Sequence, residues 1–199
     1  MKFFKWILFL GLAISICGCA TYKSQMVLVK DVNEYSNKFT ISNVVIAVDP
    51  FDEEEKSKAV FYVDLATKDI KSLQIIISNN SEDNISIIRS QIRLIDGSGN
   101  EYKPVESKYV YDLFENDQLA YGFWGCGMLS YMSAEQANKK MKSDWYEKEF
   151  PEEKTVLVNR GGDGFLFFKT NKHLKGCSLK IRVLNLRSSK FTDFVVPIN

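Results

Sequence analysis

The chain has 199 residues, of which 45% are hydrophobic, and its fourteen phenylalanines allow a real core and exclude wholesale disorder. Its 26 basic and 25 acidic residues nearly cancel, so it has no broad field to attract nucleic acid or anionic lipid, and no nucleic-acid partner is expected. A single histidine, His173, removes histidine-cluster metal sites; neither a metal nor a cofactor is expected.

The chain opens MKFFKWILFLGLAISICGC. Lys2 and Lys5 precede an uncharged run from Trp6 to Ile16, and Cys17-Gly18-Cys19 makes a small-residue exit. That order describes a secretory signal peptide, and the run is too short for a membrane span. The ending Ile16-Cys17-Gly18-Cys19 resembles the lipobox of bacterial lipoproteins. The resemblance implies cleavage before Cys19, a diacylglyceryl thioether on its sulfur and usually an acylated amine. Residues 1–18 are then a lipoprotein signal peptide, and 19–38 a lipidated amino terminus and tether. Each buried methylene contributes about 0.8 kcal/mol, so two or three chains make attachment effectively permanent. The alternatives are an ordinary cleaved signal with Cys19 left free, or a retained amino-terminal helix. Ala20 stands where an aspartate would resemble an inner-membrane retention signal. This leans towards the outer membrane of a bacterial cell envelope, with the face left open.

Without the leader, Lys2 and Lys5 are lost, and one domain-sized chain of near-neutral charge remains. No later apolar run is long enough to span a membrane. Of four cysteines, Cys126 and Cys177 are left as a pair for an oxidising space. A bridge closing a loop of roughly fifty residues would stabilise by about 4 kcal/mol in the chain-entropy model. The other reading is two buried thiols packing as small apolar residues.

In chain order, residues 20–38 begin as a polar tether, with Met26 to Val29 apolar enough for a short strand. FTISNVVIAV reads as one strand ending at the breaker Asp49-Pro50. Asp52 to Glu55 has capping-box spacing, so a short helix is predicted near 53–61, although AVFYVDL also tolerates a strand. LQIIIS (73–78) and the run from Ile85 to Ile95 are strands, with Ile92 and Leu94 facing one side and Gln91 and Arg93 the other. Asp96-Gly-Ser-Gly-Asn100 is a hairpin turn, and Pro104 ends the return strand. Tyr109, Val110, Leu113 and Phe114 follow helical spacing, predicting a helix over 106–119. After the glycine-rich apolar stretch 121–132, Ser133 to Gln136 opens another helix. Ala137, Met141 and Trp145 line one face of it, Asp144 and Lys148 pair on its exposed side, and Pro151 closes it. Thr155 to Val158 is a short strand, Gly161 to Gly164 a loop, and GFLFFKT, SLKIRVLNL and FTDFVVPIN are strands. Short strands at regular intervals argue for a mainly β, two-sheet sandwich over 39–199, with a helical insertion at about 106–150.

Asp49-Pro-Phe-Asp52, KSKAVFYVDL, LQIIISNNS and GFLFF resemble a group of uncharacterised bacterial lipoproteins over most of the mature chain. Where those proteins often carry a Pro-Gly-Glu turn before GFLFF, this chain has Asn159-Arg-Gly-Gly-Asp163. The resemblance implies an immunoglobulin-like β-sandwich on a lipid anchor. It brings no activity and no functional residue beyond Cys19.

Catalytic chemistry finds little support. His173 lies in what reads as an exposed turn, which outweighs its use with Cys126 as a nucleophile pair. Asp96 to Asn100 opens like a calcium loop, but Glu101 replaces the required glycine and Ser107 the twelfth-position glutamate, so a plain hairpin is favoured. The acidic run Asp52 to Glu55 reads as a solvated helix start. Gly161 to Gly164 lacks the Gly-Lys-Ser/Thr of a phosphate loop.

The stretch 121–132 either fills part of the core or exposes Phe123, Trp124, Met128 and Tyr131 to a partner or a membrane. The favoured function is a tethered, non-enzymatic envelope binding or interaction module. The alternative is an accessory lipoprotein of an envelope assembly or secretion machine, with a fixed protein partner. An enzyme acting on cell-wall or lipid substrates would need clustered carboxylates that the sequence does not show.

Overall fold

The computed structural model describes residues 22–115 and 128–199. Seven strands precede the helical block: β1 (Lys38–Ile41), β2 (Val44–Pro50), β3 (Ile70–Asn79), β4 (Ile85–Ile88), β5 (Arg93–Ile95), β6 (Glu101–Tyr102) and β7 (Pro104–Val105). Four follow it: β8 (Glu153–Val156), β9 (Arg160–Lys169), β10 (Ser178–Asn185) and β11 (Lys190–Pro197). Helix α1 (Glu54–Phe61) lies between β2 and β3. Helices α2 (Ser107–Phe114) and α3 (Met128–Lys148) lie between β7 and β8, where the helical insertion was expected.

Both sheets are antiparallel. One runs β1-β2-β3-β9-β7; the other runs β6-β5-β10-β4-β8, with β11 also paired to β10. Side chains alternate with period two along each strand. Val44, Ile46, Leu73, Ile75, Ile77, Leu166 and Phe168 of the first sheet therefore share one core with Ile87, Leu179, Ile181, Phe194 and Val196 of the second. Each such fully buried side chain stabilises by roughly 1.5–3 kcal/mol over its exposed state. The opposite face of the first sheet is also covered. Phe165 and Phe167 of β9 pack with Phe61, Val110, Met141 and Trp145 from the three helices. This double burial explains the unbroken Phe165-Leu166-Phe167-Phe168 run, in which all four residues are buried.

Several sequence readings are corrected. FTISNVVIAV is a hairpin, not one strand: Ser42 and Asn43 both have positive φ in a two-residue turn between β1 and β2. The Ile85–Ile95 run breaks at a 3₁₀ turn, Arg89–Gln91, so its two halves pair with different stretches of β10. Ile92 and Leu94 are buried and Gln91 and Arg93 half-buried, as the alternation required. Pro104 starts a strand on the other sheet rather than ending the return strand. Helix α1 begins where expected, but Glu53 is its N-cap and makes no side-chain cap bond. Asp52 instead accepts from the Leu174 N–H at 3.2 Å. Ser133 lies inside α3, which starts at Met128.

Residues 19–38 are predicted to be a lipidated terminus and tether, yet residues 22–36 lie on the domain. Tyr22 and Val27 join the helix-side core, while Val32 and Tyr35 pack with Val45, Ala47 and Ile76 on the outer face of the first sheet. Met26 to Val29 form no strand.

Gly161 to Gly164 is part of β9, not a loop. The chain leaving α3 crosses this strand closely, with the Phe150 N–H donating to the Phe165 carbonyl at 2.8 Å. A Cβ on Gly164 would stand 2.7 Å from the Phe150 Cα. Glycine in a strand marks such a backbone approach. Gly164→Ala is therefore expected to destabilise by about 1–3 kcal/mol, as overpacking does. Chemical unfolding measures this, and an unchanged midpoint would contradict the crossing.

The helical block is tied down by one ionic knot. Glu149 pairs with Arg89 and accepts from the Ser107 N–H at 3.0 Å and its hydroxyl at 2.5 Å, while Arg89 also donates to the Phe150 carbonyl at 3.2 Å. The start of α2, the end of α3 and the turn after β4 thus meet at a nearly buried carboxylate.

Candidate functional site

Helix α3 places Ala137, Met141 and Trp145 on one stripe at four-residue spacing, and all three are buried against the first sheet, as the sequence implied. Asp144 and Lys148 do pair, at 2.6 Å, but on the buried side rather than the exposed one. Lys148 reaches further and donates to the Val60 carbonyl of α1 at 2.9 Å. Asp144 also receives the hydroxyls of Tyr22, at 2.5 Å, and Ser24. Tyr22 in turn accepts from the Trp145 indole N–H at 3.0 Å. Burial foremost, and then the bond to the Asp144 carboxylate, push the Tyr22 phenol well above its ordinary range, so it remains a neutral donor.

This clamp borders a cleft of about 510 Å³ lined by Gln25 and Met26, Gln74 of β3, Glu147 of α3, Lys154 of β8 and Asp163 of β9. Gln74 donates to Asp163 at 3.4 Å across its floor. With three donors already on it, Asp144 is a structural acceptor. The arrangement fixes the amino-terminal segment on the domain. No residue of this clamp except Asp144, Trp145 and Lys148 drew attention in the sequence. Tyr22, an aromatic in the polar run before Met26, was the available signal.

The sequence-predicted residues fall elsewhere. Cys19, Phe123, Trp124 and Cys126 lie outside the described residues, so the proposed lipidation, the partner contact and the Cys126–Cys177 pairing fall there in whole or in part. Met128 and Tyr131 belong to the first turns of α3. Cys177 is buried, and its sulfur donates to the His173 carbonyl at 3.2 Å. Burial, with Asp96 and Asp52 nearby, pushes its thiol upward and away from nucleophilic use. His173 is exposed in the turn before β10. Among the described residues, no group of three His, Cys, Asp or Glu is placed to hold a metal ion.

Asp96 holds the hairpin that resembled a calcium loop. Its carboxylate accepts from the Ser98 and Asn100 N–H groups, each at 2.9 Å, from the Asn100 amide at 2.9 Å and from the Tyr102 hydroxyl at 3.1 Å. These bonds, led by those from Asn100, lower its pKa to about 2. A depressed carboxylate stabilises above its ordinary pKa and loses that contribution as pH falls through the folded value. Asp96→Asn is therefore expected to lower the melting temperature at pH 6, with the gap to the native chain closing as pH falls towards 2. A gap that stays constant across that window would contradict it.

No protein-family model matches the chain, and no curated protein matches it in sequence. Among solved structures, it is similar to the yjhA protein from Bacillus subtilis, with 13% identity and a TM-score of 0.43, over 83% of this chain and 98% of that one.

Proposed function

We propose that this chain is a lipid-anchored bacterial cell-envelope protein, serving as a non-enzymatic binding or interaction module at the outer membrane. The observation that carries the reading is the leader MKFFKWILFLGLAISICGC, whose last residue, Cys19, stands three positions before the buried Tyr22. The mainly β sandwich, read as immunoglobulin-like, suits a module that presents loops and faces rather than a deep catalytic cavity, although such folds host many functions. The use of Asp144, Glu149 and Asp96 as satisfied structural acceptors supports the same view.

Cys19→Ala tests the anchor. The native chain is expected in the membrane fraction and the variant in the soluble fraction; a variant that stays with the membrane contradicts the lipid reading. Cross-linking in intact cells then reads the module itself: scattered neighbours fit it, whereas one stoichiometric partner fits the accessory role in an assembly machine.

A further inference from the structure

The segment between Tyr22 and Val32 is pinned at both ends. Tyr22 is held by Asp144 and Trp145, and its ring packs edge-on against Tyr62 at 5.9 Å. At the other end Val32 is buried, Asp31 caps the following 3₁₀ turn through the Asn33 N–H, and the Lys30 N–H donates to the Tyr35 hydroxyl at 3.1 Å. Between these pins Val27 turns inward against the helix-side core, while Met26 is 93% and Leu28 86% exposed. Val27 is thus half-buried between two side chains that stand in solvent. Exposed Lys23 and Lys30 flank them. Tyr62, beside Tyr22, is 51% exposed and held at a positive φ of 66°. A fixed strip of apolar side chains bordered by lysines and an aromatic ring has the composition of a surface seated at the lipid headgroup boundary.

We infer that this strip, Met26 and Leu28 together with the Tyr62 ring that packs on Tyr22, is a membrane-apposed face that rests in the bilayer surface. The inference rests on the lipid anchor proposed above. The chain outside the strip argues for the occupant: Cys19 is three residues from Tyr22, and that length spans at most about 11 Å when extended. An acyl chain on Cys19 therefore leaves no room for a free tether. It holds Tyr22 at the membrane, with the exposed strip starting four residues later. Lys23 and Lys30 are both exposed beside the strip, and long lysine stems can lie along apolar surface while their ammonium groups stay at the polar boundary.

The test uses the full acylated protein in vesicles of phosphatidylethanolamine and phosphatidylglycerol, with the Cys19→Ala chain in buffer as reference. A charged, membrane-impermeant oxidant converts exposed methionines to sulfoxides, read by peptide mass. Met26 is expected to oxidise at least fivefold more slowly in vesicles. Equal Met26 rates in the two samples overturn the inference. The mass of the amino-terminal peptide reports acylation separately, so failure of the anchor and failure of the strip are distinguishable. A Met26→Asp, Leu28→Asp pair, both exposed and harmless to the core, is expected to restore tryptic cleavage at Lys23 and Lys30 to the rate of the soluble chain while acylation persists. Unchanged cleavage in that pair would also overturn it.

Discussion

Trp145→Ala is expected to cost about 3–5 kcal/mol of stability, the range for removing a fully buried large aromatic side chain. Trp145 is the hub of the helix-side core: its ring meets Phe61 at 5.8 Å and Phe114 at 5.9 Å, both edge-on. Those two rings lie on α1 and α2, so the cavity would open where α1, α2 and α3 converge. The variant also removes the indole donor from Tyr22, loosening the amino-terminal segment from α3. Urea unfolding of the Cys19→Ala background measures the loss. Trp145→Phe keeps most of the volume but not the N–H, and is expected to lose much less. A Trp145→Ala midpoint within experimental error of the parent would contradict the hub role.

Asp144→Ala is expected to destabilise by about 3–5 kcal/mol, because it leaves the Lys148 ammonium nearly buried without its counter-charge. The same change strips the acceptor from the Tyr22 and Ser24 hydroxyls. The segment 22–30 should therefore release before the domain unfolds, with faster tryptic cleavage at Lys23 and Lys30 under native conditions. Asp144→Asn keeps an oxygen acceptor for the hydroxyls and is expected to fall between the parent and the alanine variant. Asp144 and Trp145 share Tyr22 as a partner, so their effects are not expected to add. Unfolding curves and native-state proteolysis, run side by side, check both halves. Slow cleavage in a destabilised variant would mean that the carboxylate holds α1 and α3 together without clamping the amino-terminal segment.

Much of the β framework was legible from residue runs alone. LQIIIS, GFLFFKT, SLKIRVLNL and FTDFVVPIN are strands because β-branched and aromatic residues fit a pleated, buried surface. The Ala137, Met141 and Trp145 stripe was legible because helical periodicity is a local signal. One miss was local, and the others depended on contacts distant in sequence. Ser42-Asn43 carries a weaker turn signal than Asn-Gly, so the β1–β2 hairpin read as one strand. Gly161 to Gly164 looked like a loop because nothing local reveals that Phe150 passes over the strand. The side on which Asp144 and Lys148 pair was misread for a similar reason: a charged i,i+4 pair is usually solvated, and its burial here depends on Tyr22, 122 positions away. That partner also turned an apparent tether into part of the folded domain.

On the proposed function, the amino end of the mature chain is covalently lipid-bearing and begins its fold almost at once. Intact-mass and peptide analysis of the protein purified from its native membrane tests this most directly. The expected result is an amino-terminal peptide that starts at Cys19 and carries the mass of a diacylglyceryl thioether. An unmodified Cys19, or a leader still attached, would contradict it.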